Sequence, residues 1–166
     1  MPDQELAFEE FMAARWQPLY RTAYLLTGNR HDAEDLLQSA MAGTCLRWSK
    51  IRDKGAADAY VRRAMLNDAQ RHWRRRDREV VRGELPDEGF DQIGVRADHL
   101  ALWQEVRRLP PKMRATLVLR YFEDLSVGET ARELGCSEGV VKSATHHAIA
   151  RLRQALPSLE LTEELS

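Results

Sequence analysis

Residues 125–152 restrict the fold of this chain more than any other stretch: LSVGETARELGCSEGVVKSATHHAIARL. Apolar and small side chains recur there at three- and four-residue steps, which predicts two short amphipathic helices. Gly135 suits the left-handed conformation that ends the first helix, and Ser137 is a good N-cap for the second. This is the helix-turn-helix plan, in which the second helix enters the major groove of DNA. A plain corner between two helices, with a solvated polar face, is the alternative.

Composition describes a globular chain. Its 166 residues are enough for one ordinary domain or two small ones, and 43% of them are hydrophobic against 31% charged. No apolar run approaches the roughly 20 residues of a membrane span. The acidic N-terminus lacks a signal-peptide pattern, so we expect a cytoplasmic protein.

Residue types that perform chemistry do not form a pattern typical of an enzyme. Cys45 and Cys136 are far apart and fall among helical core positions, which predicts buried free thiols. His146 and His147 are adjacent, so their side chains should point in different directions on a helix rather than share a metal ion. There is no metal-spaced set, phosphate-binding glycine loop or nucleophile constellation. We therefore expect no enzymatic activity, no cofactor and no metal.

Helical periodicity runs through the rest of the chain, and no strand-like alternation appears, so the fold class is all-α. Five helices are predicted before the helix-turn-helix pair, at residues 5–27, 31–48, 57–78, 96–108 and 113–123. Pro18 predicts a kink or a break near Gln17. Residues 80–95 hold glycines, a proline and an acidic balance, which predicts a flexible linker. The expected organisation is two small helical domains, residues 1–79 and 96–157, followed by a tail, residues 158–166.

Charge is segregated although the net charge is only −1. The stretch RHWRRRDR at residues 71–78 carries five arginines and one aspartate. At helical spacing Arg63, Asn67 and Arg71 share one face, which predicts contact with nucleic acid rather than simple solvation. Arg74 belongs to the same face. Stacking on a base and burial remain alternatives for Trp73.

Three motifs in order carry a family resemblance: HDAEDL at residues 31–36, the run LPPKMRATLVLRY at residues 109–121, and GVVKS at residues 139–143. The first half of the chain resembles the core-binding and −10-reading domain of bacterial sigma factors, and the second half resembles their −35-reading domain. The order and the short linker are similar to the extracytoplasmic-function group, and within it to the SigE-like actinobacterial subfamily.

The resemblance implies partners and residue roles. The partners are core RNA polymerase and promoter DNA, and members of this group are often held inactive by an anti-sigma factor. The residues implied in polymerase binding are Asp32, Glu34, Asp35 and Gln38. Those implied at the −10 element are Arg62, Arg63, Asn67, Arg71, Trp73, Arg74 and Arg75. Those implied at the −35 element are Ser137, Glu138, Gly139, Lys142, Ser143 and His146.

Two departures from the common pattern affect these roles. Ala144 and Thr145 stand where the group often has arginine and leucine, and Ser39-Ala40-Met41 replaces an acid-threonine-phenylalanine run. Other functions stay open: a dimeric helix-turn-helix regulator of transcription is the principal alternative, and a module that binds only another protein is a further one.

Overall fold

The computed structural model describes residues 2–76 and 100–157, with side chains for 2–73 and 101–157. Within those ranges the chain forms only helices and turns, which confirms the all-α prediction. Contacts divide the chain into two compact units, Met1–Gly89 and Phe90–Ser166. The predicted linker and the predicted tail lie outside the described residues.

Unit 1 is built from three helices: α1 Pro2–Thr27, α2 Arg30–Leu46 and α3 Ala57–Arg76. Each packs against the other two. Two short 3-10 turns, Trp48–Lys50 and Lys54–Ala56, join α2 to α3. The largest fully buried side chains of this core are Tyr24, Leu25, Leu26, Leu37, Val61, Met65 and Leu66.

The corner between α1 and α2 follows from two residues. Gly28 ends α1 with φ 84, a conformation that few other residues adopt. Asn29 then caps α2, because its side-chain oxygen accepts from the backbone N–H of Asp32 at 2.8 Å. A hydrogen bond of 2.8 Å from the Asn29 amide to the Asp32 carboxylate closes the pair.

Pro18 does not divide α1: of the kink or break predicted near Gln17, the break does not occur, because one helix runs from Pro2 to Thr27. A proline in a helix removes the hydrogen bond to the carbonyl four residues earlier. That carbonyl belongs to Ala14, which is exposed, so water can satisfy it. The prediction placed the start of α1 at residue 5, and the helix begins three residues earlier.

Polar and aromatic contacts tie α1 to the rest of unit 1. Arg15 forms a two-point ion pair with Asp58 of α3, with N–O distances of 2.9 and 2.6 Å. The rings of Phe8 and Phe11 lie 5.3 and 5.2 Å from that of Trp48. The Lys54 ammonium sits 4.2 Å from the centre of the Trp48 ring and donates to the Trp48 carbonyl. These contacts position the loop that precedes α3.

Unit 2 contains α4 Leu100–Arg107, α5 Pro111–Leu117, α6 Val127–Leu134 and α7 Glu138–Ala155. Its core gathers side chains from α4, α5 and α7: Leu102, Val106, Leu109, Leu117, Ala148 and Leu152. The predicted helix at residues 113–123 is instead α5 followed by a π-helical segment, Val118–Phe122. Arg120 Nη1 donates to the Leu125 carbonyl at 2.6 Å and so holds the turn that leads into α6.

Burial differs from expectation at three positions. Both cysteines are free, but Cys45 is exposed and Cys136 only half-buried, so the prediction of buried thiols is wrong. His72 lies at helical spacing from the buried Met65 and Ala69, which predicts that it faces the core, but it is also exposed. Both Cys45 and His72 lie at the edge of the apolar face of their helix. At such an edge, the side chains of the neighbouring helix decide whether a residue is buried.

Candidate functional site

The helix-turn-helix is closed by three local interactions. Ser126 caps α6, its hydroxyl accepting from the Glu129 N–H at 3.1 Å. Gly135 ends α6 in the left-handed region with φ 65. The Ser137 hydroxyl accepts from the Val140 N–H at 3.2 Å and caps α7. These caps fix where α7 begins, and therefore which residues stand in its first turn.

The exposed face of α7 brings the predicted −35 residues together. All six are exposed: Ser137, Glu138, Gly139, Lys142, Ser143 and His146. His147 is exposed beside them, and its Nδ1 lies 3.4 Å from the Ser143 hydroxyl. The rings of the two adjacent histidines contact each other edge to face, with centroids 5.7 Å apart, although neighbouring positions of a helix point in different directions.

Glu138 is directed toward α6. A Cβ placed on Gly128 would lie 3.1 Å from Glu138 Oε1, so this carboxylate rests against the first turn of α6. A carboxylate is a poor neighbour for DNA phosphates, and here its charge lies near the positive end of a second helix. Glu138 thus has a structural role that the sequence pattern did not indicate.

Part of the basic face of α3 is engaged in an ion pair within the helix. Arg63, Asn67 and Arg71 are exposed at four-residue spacing, and Arg62 is half-buried beside them. Asp68 forms an ion pair with Arg71, which reduces the positive charge that Arg71 offers to a phosphate. The side chains of Arg74 and Arg75 lie outside the described residues, although the backbone of α3 extends to Arg76.

Trp73 is buried, with 8% of its surface exposed. Of the two alternatives for this residue, the structure favours packing, because stacking on a base requires an open ring face. Part of Trp73 lines a shallow pocket between α2 and α3, together with Asp32, Asp35 and Arg71.

Three of the four predicted polymerase contacts on α2 line two different depressions of the surface. Asp32 and Asp35 line the pocket toward α3, whereas Gln38 lines a groove on the α1 side. Glu34 pairs with Arg30 at 3.2 Å and Asp35 with His31 at 3.4 Å, both at exposed sites. Asp32 also accepts from Asn29, so it contributes to capping α2.

The groove on the α1 side is a feature that the sequence pattern missed. It has a volume of about 620 Å³, and apolar side chains of α1 and α2 line most of it. Its residues are Phe8, Met12, Ala13, Trp16, Gln38, Met41, Ala42 and Cys45. An open apolar groove of this size is a typical place for the side chains of a partner helix. We name it the α1/α2 groove.

Comparison with known proteins accounts for both units. Residues 13–79 match the family described as Sigma-70 region 2, and residues 99–152 match Sigma-70 region 4. The sequence is 44% identical over 158 residues to an RNA polymerase sigma-E factor of Streptomyces coelicolor, covering 94% of this chain and 89% of the relative. The chain belongs to the sigma-70 family.

A further relative supports the group within the family, and a solved structure shows the same fold. An extracytoplasmic-function RNA polymerase sigma factor, SigL of Mycobacterium tuberculosis, is 30% identical over 93% of this chain and 89% of its own length. The sigma factor RpoE of Bartonella quintana, solved with the anti-sigma factor NepR, shares the fold with a TM-score of 0.71. That structure is 20% identical and covers 92% of this chain and 98% of its own. The chain is thus an RNA polymerase sigma factor of the extracytoplasmic-function group, similar to sigma-E.

The regions of this sigma factor map onto the geometry above. Region 2 holds α2, α3 and the later part of α1, so it includes the acidic residues, the basic face and most of the α1/α2 groove. Region 4 holds the helix-turn-helix. Among the described residues, no helix is long and apolar enough to cross a membrane. In the same ranges, no group of three or more His, Cys, Asp or Glu side chains is placed to hold a metal ion.

Proposed function

We propose that this sigma factor binds its partners through three separate surfaces. The exposed side of α2, with the α1/α2 groove, binds core RNA polymerase; α3 and the loop before it contact the −10 element; α7 contacts the −35 element. Domain boundaries at residues 1–79 and 96–157, with a linker at 80–95 and a tail at 158–166, fit this division. The observation that carries the proposal is the match to regions 2 and 4 in that order along the chain.

The polymerase-binding surface combines charge with apolar area. Asp35 and Gln38 are exposed near the middle of α2, and Gln38 also lines the groove. Partner side chains that fill an apolar groove contribute most of the binding energy, while exposed charges mainly set orientation and association rate. We assign the affinity chiefly to the groove and the specificity to Glu34, Asp35 and Gln38. Asp32 supports both by holding the start of α2.

The −10 contact rests on the exposed face of α3. Arg63 and Asn67 stand on successive turns of one face, and Arg62 and Arg71 flank them. Arginine binds phosphate with a planar set of donors, which suits holding a DNA strand while bases leave the stack. The loop before α3 is anchored by the contact of Lys54 with Trp48. Arg74 and Arg75 extend the same basic helix in sequence.

The −35 contact rests on the first two turns of α7. Ser137, Gly139, Lys142, Ser143 and His146 form its exposed side, and we assign Lys142 to phosphate. Glu138 acts by fixing the start of α7 against α6.

The protein works by binding and not by catalysis, in the cytoplasm where it meets RNA polymerase. An anti-sigma factor is the partner that would hold it inactive. The alternative of a dimeric regulator is not favoured, because both regions match sigma factors.

Binding to core polymerase is the direct test. Purified core enzyme of Streptomyces coelicolor is mixed with the wild type or Asp35→Lys, and affinity is measured at low and moderate salt. We expect the reversal to weaken binding by about tenfold or more. Glu10→Lys is the matched control, since Glu10 is an exposed acid on α1 that lines neither the groove nor the pocket.

Promoter binding with and without core enzyme distinguishes a sigma factor from a dimeric regulator. Promoter binding by the wild type that appears only when core enzyme is added supports the proposal. Tight, sequence-specific binding to DNA without core enzyme, together with no binding to core enzyme, would favour the dimeric regulator.

A further inference from the structure

The first turn of α7 exposes one large apolar side chain. Val140 is 51% exposed, and the other large hydrophobic residues this exposed in the described chain, Leu6 and Leu46, lie in unit 1. Val140 is therefore the exposed branched side chain on the helix proposed to enter the major groove.

The orientation of Val140 is fixed by its neighbours in sequence. Val141, the next residue, is completely buried, and Ser137 caps the helix through the Val140 N–H itself. Successive residues of an α-helix point about 100° apart, so Val140 is directed away from the core. It shares a ridge with Ser143 and His147, which are three and seven residues further on and also exposed.

Little of the chain surrounds Val140 on its exposed side. The preceding residue is Gly139, and a Cβ built there would meet only the Ser137 hydroxyl, at an ordinary 3.8 Å. One turn further along, Ala144 is small. Neither position puts a long side chain over Val140, so an outside surface can reach it directly.

The stability of the fold does not explain a valine here. Valine is a weaker helix former than alanine, and an exposed valine gains little from burial. Its side chain has neither donor nor acceptor, so it forms no hydrogen bond with a phosphate or a polar base edge. In the major groove, the apolar group at a base edge is the C5 methyl of thymine.

We propose that Val140 is a specificity-determining residue that contacts the C5 methyl group of a thymine in the −35 element. The inference rests on the proposed function, because it needs α7 to lie in the major groove. Contact removes both apolar groups from water, whereas the polar edge of another base in that place loses hydrogen bonds to water. Ser143 and His147, on the same ridge, read the polar edges beside that thymine.

The experiment uses the holoenzyme, formed from the full chain and core polymerase. Wild-type holoenzyme first selects its upstream element from a randomised duplex library. Each thymine of the selected duplex is then replaced in turn by deoxyuridine, which removes the C5 methyl group alone. Affinity is measured for the wild type, for Val140→Ala, and for Leu6→Ala as a control at an exposed leucine of α1 that does not line the α1/α2 groove.

We expect one replacement to weaken wild-type binding about three- to fivefold, the effect of one lost methyl contact. In Val140→Ala the same replacement should have no effect, while Leu6→Ala should behave like the wild type. Val140→Ala should keep its melting temperature, so a loss of discrimination is not a loss of fold. A selected element without thymine, or a deoxyuridine effect that persists in Val140→Ala, would overturn the inference and leave the proposed function intact. Failure of the wild-type holoenzyme to select any element would overturn both.

Discussion

Asp68 and Arg71 form an ion pair one turn apart on the exposed side of α3. The pair lies within the basic face proposed to hold the −10 strand, so one of its arginines is partly neutralised before DNA arrives. The carboxylate competes with phosphate for the same guanidinium group.

Asp68→Asn should therefore strengthen binding of the holoenzyme to promoter DNA. Freeing Arg71 for a phosphate adds up to one released counterion, so the slope of log K against log salt should steepen by about 0.9. The measurement is a salt titration of promoter affinity. Glu105→Gln is the matched control, since Glu105 of α4 pairs at the same three-residue spacing with Arg108, the residue after that helix, and the charge change is equal. Equal slopes for wild type and Asp68→Asn would contradict the prediction.

The α1/α2 groove can be tested through Cys45. In a Cys136→Ser background Cys45 is the one remaining thiol, because the sequence holds two cysteines. Alkylation of this exposed groove residue with a benzyl maleimide should block binding to core polymerase by filling the groove. Methylthiolation of the same thiol adds far less volume and should be tolerated. Full binding by the completely alkylated protein would show that the partner does not enter the groove.

Gly135 should tolerate substitution poorly. It ends α6 with φ 65, a conformation that costs a residue with a Cβ about 1–2 kcal/mol. Gly135→Ala should thus lower the free energy of unfolding of the helix-turn-helix unit by about that amount, measured by denaturant titration of the full chain. Gly128→Ala is the comparison. Its new Cβ would lie 3.1 Å from Glu138 Oε1 and 4.0 Å from the Ser126 hydroxyl, and the end of the glutamate side chain can shift by a few tenths of an ångström, so we expect a smaller loss. A larger loss at Gly128 would reverse the argument.

Arg15 and Asp58 should stabilise unit 1 modestly. The two side chains are 42% and 32% exposed, so solvent screens the pair despite its two-point geometry. A double-mutant cycle with Arg15→Ala and Asp58→Ala should give a coupling free energy of about 0.5–1 kcal/mol. A coupling near zero would mean that the helices α1 and α3 are held by packing alone.

Local chemistry made the helix-turn-helix predictable. Gly135 and Ser137 act on their own neighbours in sequence, and the structure places both as the sequence predicted. Family resemblance extended this to the whole chain, since the motifs lie in regions 2 and 4. Because Val141 faces the core, helical spacing also predicts that Val140 is exposed. The family resemblance implied DNA contacts only for the polar residues and glycine of α7.

What the sequence did not predict depends on how helices meet. Helical periodicity gives the direction in which a side chain points. It does not tell whether the side chains of a neighbouring helix bury it. Cys45 has the direction of a core residue and lies in an open groove, because α1 and α2 do not close over it. Asp35 and Gln38 likewise border different neighbours of α2: Asp35 lines the pocket toward α3, and Gln38 lines the groove toward α1.

Pro18 lies between two parts of α1: the part before it lines the groove, and the part after it is mostly buried. The α1 residues that line the groove, Phe8, Met12, Ala13 and Trp16, all precede it. The run of buried residues from Leu19 to Leu26 follows it. The part of α1 that lines the groove also packs, since Phe8 and Phe11 contact Trp48 and Arg15 pairs with Asp58, so a substitution before Pro18 can alter the groove and the packing of unit 1 together.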